Sequence, residues 1–222
     1  MSREHYEQQL RSLNDDLLRM GALVETAIGQ SIQALTNHDE AMAQAVIRND
    51  DLIDKAQYAL EEKALLLFAT QQPLVARDLR LVSAIITIAS ELERVGDYAE
   101  GIAKIAIRQG QTPALKPQAE VPSMTSKAQT MLRTALECYT RIDVKLAKTL
   151  SAADDEIDNQ TDRVQREILE VMIADASTVE QATRLLYVVH NLERIADRAT
   201  NIGERVVFMA TGQMADLNEQ RA

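Results

Sequence analysis

The chain has 222 residues, a net charge of −10 at pH 7, 46% hydrophobic residues and 3% aromatic ones. So acidic a chain does not offset phosphate charge, which excludes nucleic acid as a partner and suits cations or basic protein surfaces. With Ala, Leu, Glu, Gln and Arg abundant against 7 Gly and 4 Pro, the composition favours helix over sheet and allows one domain or two small ones.

Helix 1 is predicted over residues 4–36, where Leu10, Leu13, Leu17, Met20, Val24, Ala27, Ser31 and Leu35 recur every three or four residues as one apolar stripe. Asn37-His38-Asp39 breaks the pattern, and Asp39 is placed to cap helix 2. Helix 2 carries Val46, Ile53, Leu60 and Leu67 at heptad spacing and closes at Gln71-Gln72-Pro73, because proline has no N–H for a continuing ladder. Helix 3 shows Ile85, Ile88, Leu92, Val95, Ala99, Ile102 and Ala106. From Gly110 to Pro122 there are three of the four prolines and no periodicity, so residues 111–122 read as a linker. Helix 4 follows over residues 123–140, with Met124, Met131, Leu132, Ala135 and Tyr139 on one side. Helix 5, residues 143–174, opens at Asp143, and helix 6, residues 178–209, carries Leu185, Val188, Leu192, Ile195, Ala199, Ile202 and Val206. The methionines read as core filler.

The second half copies the first. Residues 92–102 read Leu-Glu-Arg-Val-Gly-Asp-Tyr-Ala-Glu-Gly-Ile, and residues 192–202 read Leu-Glu-Arg-Ile-Ala-Asp-Arg-Ala-Thr-Asn-Ile. Apolar helix positions interchange freely, but a Glu-Arg-x-x-Asp string is not needed to make a helix, so its recurrence marks a site built twice. Helix 3 maps onto helix 6 at an offset of 100, and helix 2 onto helix 5 at an offset of 104, with one helical turn lost near the hairpin. The expected fold is all-α: six long helices in two tandem antiparallel three-helix bundles, residues 1–110 and 123–212, with a C-terminal tail at 213–222. The bundles are expected to behave as separate units.

The duplicated acids have a register. Glu93/Asp97 and Glu193/Asp197 lie four apart, as do Asp50/Asp54 and Asp154/Asp158, so each pair projects from one helix face. A tight turn at Pro73-Leu74 brings Asp54 level with Glu93 and Asp50 level with Asp97. A turn near Asp175-Ala176 does the same for Asp158 with Glu193 and Asp154 with Asp197. The result is two carboxylate quartets on the outer face or its edge, with Glu100 placed to join the first and Thr200 as its counterpart. Such quartets suit a solvated acidic face or a hard or borderline metal cation, and the register-matched duplication favours the metal.

Other chemistry is weakly signalled. There is no Glu-x-x-His, no glycine-rich phosphate loop and no Cys/His zinc spacing. His190 reads as a surface or edge residue, His5 and His38 as solvated, and Arg94 and Arg194 as partners of the acids on their own helices. Cys138 stands alone, so no internal disulfide forms, and it reads as a small buried side chain in a reducing cytoplasm. Residues 1–18 have no apolar signal core, and the most apolar stretches, 64–69 and 81–89, fall short of the ~20 residues of a membrane span. A soluble cytoplasmic protein is expected, reaching the inner face of a membrane through partners and without inserting into it.

The sequence resembles the PhoU family of phosphate-signalling proteins. The likeness rests on Gln72-Pro73 with Arg77-Asp78-Leu79-Arg80, on Leu92-Glu93-Arg94-Val95-Gly96-Asp97 with Ile102, on Leu192-Glu193-Arg194-Ile195-Ala196-Asp197 with Asn201-Ile202, and on the Asp-Asp-x-x-Asp clusters beginning at Asp50 and Asp154. It spans nearly all of residues 5–210; Ala196 departs from the more usual glycine. The resemblance implies tandem three-helix bundles, often in a homodimer, that bind multinuclear iron or zinc clusters. Carried over, the ligand motifs fall on Asp50, Asp54, Glu93 and Asp97, and on Asp154, Asp158, Glu193 and Asp197. It implies a negative regulator of the phosphate-starvation response, linking the ATPase subunit of the phosphate ABC transporter to a sensor histidine kinase, and not an enzyme. A metal-dependent phosphohydrolase and a metal-free helical scaffold are the alternatives.

Overall fold

The computed structural model describes residues 3–70 and 75–217. Six long helices account for most of them: α1 (Arg3–Asn37), α2 (Glu40–Thr70), α3 (Ala76–Gln109), α4 (Val121–Arg141), α5 (Val144–Ala174) and α6 (Val179–Thr211). Helices α1, α2 and α3 pack on one another, as do α4, α5 and α6. This is the expected pair of antiparallel three-helix bundles. The hairpin turn expected at Pro73-Leu74, and the helix end at Gln71-Gln72-Pro73, lie outside the described residues.

The heptad of α2 faces inward as read: Val46, Ile53, Leu60 and Leu67 are all at least 98% buried. The joint between α1 and α2 is repeated 104 residues later between α4 and α5. His38 and Ile142 both take left-handed backbone, φ 54° and 53°. The next amide closes the helix each time, from Asp39 N to Ala34 O at 2.9 Å and from Asp143 N to Cys138 O at 3.0 Å. The aspartate then caps the following helix. Asp39 Oδ1 accepts from Met42 N at 2.9 Å, and Asp143 Oδ1 accepts from Lys145 N at 2.9 Å and Leu146 N at 3.0 Å. His38 is tied down, contrary to the expectation that solvation accounts for it: its Nδ1 lies 2.6 Å from Gly110 O. Cys138 is fully buried.

Two differences from the expected layout have physical causes. Part of the linker is ordered: Lys116–Glu120 forms a 3-10 turn with Pro117 buried. Helix α4 starts at Val121, because Pro122 falls in its first turn, where no N–H is needed. The bundles are also not separate units, since a single hydrophobic core runs through both. Helix α3 packs on α6 and α1 on α4. On α3 and α6 the apolar stripe is widened by Ala84, Ala89, Ala103 and Ala182, Ala196, Gly203, all buried. Small residues let neighbouring helices come close: at Gly203 an added Cβ would lie 2.6 Å from Leu150 Cδ1 of α5.

The α3–α6 seam has a local two-fold axis. Glu91 accepts from Arg198 Nη1 at 3.2 Å and Asn201 Nδ2 at 3.1 Å. Adding or subtracting 100 gives the mate: Asn191 Nδ2 donates to Tyr98 O at 3.4 Å and packs on Gly101, where an added Cβ would lie 2.9 Å from that same Nδ2. The α1–α4 seam agrees, with Gln129 Nε2 donating to Glu25 O at 3.3 Å. After Gly212 (φ 77°) the tail folds back, and Leu217 N donates to Glu204 Oε1 at 2.9 Å. Among the described residues no helix is long and apolar enough to cross a membrane.

Candidate metal centre

Helices α2 and α3 bring the first set of acids to one place. Asp50, Asp97 and Glu100 each offer a carboxylate oxygen, and these three oxygens lie within 4.8 Å of one another. Oxygens that share one cation at 2.0–2.6 Å are separated by up to about 5 Å, so the spacing fits a single hard ion. Among the described residues this is the one group of three or more His, Cys, Asp or Glu side chains with such spacing. Asp97 is exposed, while Asp50, Asp54, Glu93 and Glu100 are half-buried, so the group sits at the edge of the helix pair, as the sequence implies.

Backbone shape allows the approach. At Gly96 an added Cβ would meet Ile53 Cδ1 at 3.0 Å and Asp50 Oδ1 at 3.2 Å, so the bare glycine lets the Asp50 carboxylate close on α3. The electrostatics follow from crowding. Burial pushes the Asp50 carboxyl up to about 6, and Glu100, Asp97, Asp54 and Glu93 add to it. Glu93 is also raised, by burial and then by Asp97 and Asp54, with Arg94 opposing. Asp97 is raised by burial and then by Asp54 and Glu100. Lys104 pairs with Glu100 and is the nearest compensating cation on the same face. A set of oxygen donors that repel one another and accept a proton readily also accepts a divalent cation readily.

The second set is arranged differently. Arg194 Nη1 lies 2.6 Å from Asp197 Oδ2, and His190 Nδ1 lies 3.1 Å from Glu193 Oε2. Burial and Asp197 raise Glu193, while His190 and Arg194 pull it down. Asp154 is not at the edge: it is fully buried. Thr200, in place of Glu100, is fully buried too, and its Oγ1 donates back to Ala196 O at 3.4 Å. A short neutral side chain there adds no further carboxylate, and Arg194 already pairs with Asp197.

Arg194 is the intrahelical partner anticipated, yet it also bonds Tyr98 on α3, which raises its basicity. His190 is an exposed edge residue, as expected, though it faces Glu193. The seam residues Glu91 and Arg198 escape a reading of the sequence, and Asn201, which the sequence puts near the second acidic set, bonds Glu91 across the seam. Their signal is a mismatch within the repeat, Glu91 against Asn191 and Tyr98 against Arg198, which acquires meaning only once α3 and α6 are known to pack.

The family model described as the PhoU domain matches residues 17–106 and again 121–206. A phosphate-specific transport system accessory protein PhoU homolog from Clostridium acetobutylicum is 37% identical over 219 residues, covering 99% of this chain and 100% of the relative. The corresponding homolog from Caulobacter vibrioides is 36% identical over 217 residues, 97% of this chain and 93% of its own length. The crystal structure of PhoU from Pseudomonas aeruginosa superposes with a TM-score of 0.89 at 31% identity, covering 94% of this chain and all of that one. That of the phosphate transport system regulatory protein PhoU from Streptococcus pneumoniae gives 0.88 at 29% identity, covering 95% and 99%. Two matched domains, end-to-end relatives and a common six-helix frame lead to one conclusion: the chain belongs to the PhoU family.

Proposed function

We propose that this protein regulates phosphate uptake and phosphate-starvation signalling. The observation that carries the reading is likeness over the whole chain: both domain copies match, and the relatives, named as accessory proteins of a phosphate-specific transport system, are covered almost completely. In this role the protein damps the starvation response when phosphate is plentiful. It does so by linking the ATPase subunit of the phosphate ABC transporter to a sensor histidine kinase. It works from the cytoplasm as a homodimer, held at the inner face of the membrane by its partners, and its part is regulatory and not catalytic.

The first acidic group is the metal-holding one in this reading. Asp50, Asp97 and Glu100 serve as ligands, with Asp54 and Glu93 close enough in the field of the group to extend it to an iron or zinc cluster. The bound metal would neutralise the group and fix α2 against α3. Asp154, Asp158, Glu193 and Asp197 form a weaker second site, because Arg194 and His190 compete for its carboxylates.

Deletion of the gene is expected to derepress phosphate-starvation promoters at high phosphate, read with a reporter. Unchanged repression in the deletion strain overturns the regulatory reading. Protein purified without chelator is expected to carry stoichiometric iron or zinc that the pair Asp50→Asn and Asp97→Asn abolishes. No metal in the parent protein overturns the cofactor assignment and leaves the regulatory one standing.

A further inference from the structure

Next to the acidic group, where Lys104 pairs with Glu100, the α3–α6 seam opens into a cavity of about 550 Å3, walled by Lys104, Ile105 and Arg108 of α3 and by Glu180, Arg184 and Tyr187 of α6. A second cavity, about 370 Å3, lies on the other side of Thr183 and Tyr187 and is walled by Leu169, Leu186, Gln165 and His190. The first holds three cations against one carboxylate, Glu180, in a protein of net charge −10. The second sets Leu169, Leu186 and the Tyr187 ring beside the polar Gln165, Thr183 and His190. Tyr187, 60% exposed, stands between them.

The cations are not a by-product of the duplication. At the offset of 100, Lys104, Arg108 and Arg184 correspond to Glu204, Phe208 and Ala84. The two-fold mate of this groove, at the other end of the seam, is bordered by the chain itself. Leu217 N bonds Glu204, Met214 Sδ accepts from Arg205 at 3.5 Å, and an added Cβ on Gly212 would lie 3.5 Å from Arg80 Nη1. One end of the seam is thus capped by the tail, and the other stays open and cationic.

We propose that the open groove binds a nucleotide, with its phosphates on Lys104, Arg108 and Arg184 and its base against Tyr187 in the second cavity, between the leucines and the polar Gln165 and His190. A cationic pocket sharing an aromatic wall with a second one of leucine and polar residues matches a ligand that is anionic at one end and a flat ring with polar edges at the other. Arg184 is already positioned: its Nη1 donates to Arg108 O at 3.0 Å, and it pairs with Glu180. Glu180 is 83% exposed, so phosphate displaces it at little cost. Lys104, whose side chain is 50% exposed, reaches phosphate by releasing Glu100 to the acidic group.

The test is calorimetric titration of the full chain in EDTA with ATP, ADP, AMP, adenosine and tripolyphosphate, which keeps metal at the acidic group out of the measurement. Affinity is expected to fall from ATP to AMP, with tripolyphosphate weaker than ATP and all binding weakened by salt. Tyr187→Ala is expected to cost ATP about tenfold and leave tripolyphosphate unchanged, while Tyr187→Phe retains binding. Arg108→Ala and Arg184→Ala weaken both ligands. Glu180→Gln tightens ATP several-fold by removing the competing carboxylate. Melting curves check that each variant is folded; Tyr187 and Arg108 are exposed, so neither substitution touches the core. Absence of saturable ATP binding at millimolar concentration overturns the proposal. So does equal affinity for ATP and tripolyphosphate, or ATP binding indifferent to Tyr187→Ala.

Discussion

Replacing Asp50 by asparagine separates electrostatic cost from ligand value at the first acidic group. Without metal, the Asp50 carboxyl is held up at about 6 against an ordinary 3.8, by burial first and then by Glu100, Asp97, Asp54 and Glu93. A carboxyl whose folded pKa exceeds its unfolded one binds more protons folded than unfolded between the two values. Its favourable contribution is therefore complete below about pH 3.8 and is lost as pH rises through 6. A shift of that size corresponds to about 3 kcal/mol, which solvent screening at a half-buried site reduces to about 1–2 kcal/mol. In EDTA at neutral pH, Asp50→Asn is expected to exceed the parent protein in stability by that amount, measured by urea unfolding. It should also lack the decline between about pH 4 and 6. With zinc or manganese added the order reverses, because the parent gains stability by mass action and the amide is the poorer ligand. A variant less stable than the parent in EDTA refutes the electrostatic reasoning. An equal metal-induced gain in both proteins refutes the ligand role.

Three further outcomes are expected. Glu91→Ala leaves Arg198, whose side chain is 12% exposed, and Asn201 without their acceptor across the seam; a loss of about 2–4 kcal/mol is expected in urea unfolding, and Glu91→Gln should lose less. Because one core spans both bundles, calorimetry should show a single transition with equal calorimetric and van't Hoff enthalpies, and two resolved peaks would contradict the shared core. The Cys138 thiol is pushed up to about 11, by burial first and then by Asp143, so a thiol reagent at pH 8 should label the protein rapidly only after denaturation.

The parts legible in the sequence are those carried by one helix face or one turn. The heptad of α2 is readable because that helix buries a single narrow stripe. Asp39 and Asp143 are readable because caps are local chemistry. The level pairing of Asp50 with Asp97 follows from one hairpin and one periodicity, and the structure brings their oxygens within 4.8 Å. The rest depends on how the halves meet. Ala84 and Ala103 look like helix filler, yet both are fully or almost fully buried. Asp154 reads as the copy of Asp50, yet it is fully buried. That Gly96 and Glu100 become Ala196 and Thr200 is readable in the sequence and makes the two groups unlike; what the repeat does not show is that Asp154 is buried where Asp50 stays at the edge.

A two-fold frame gives a molecule no head and no tail. The seam between α3 and α6 acquires them from its side chains. An ion pair and the folded-back C-terminal segment hold one pole, while an amide–carbonyl bond and an open basic groove hold the other. Whatever docks along this rod therefore meets two unlike poles and has a reason to choose one, which a symmetric pair of identical halves does not supply.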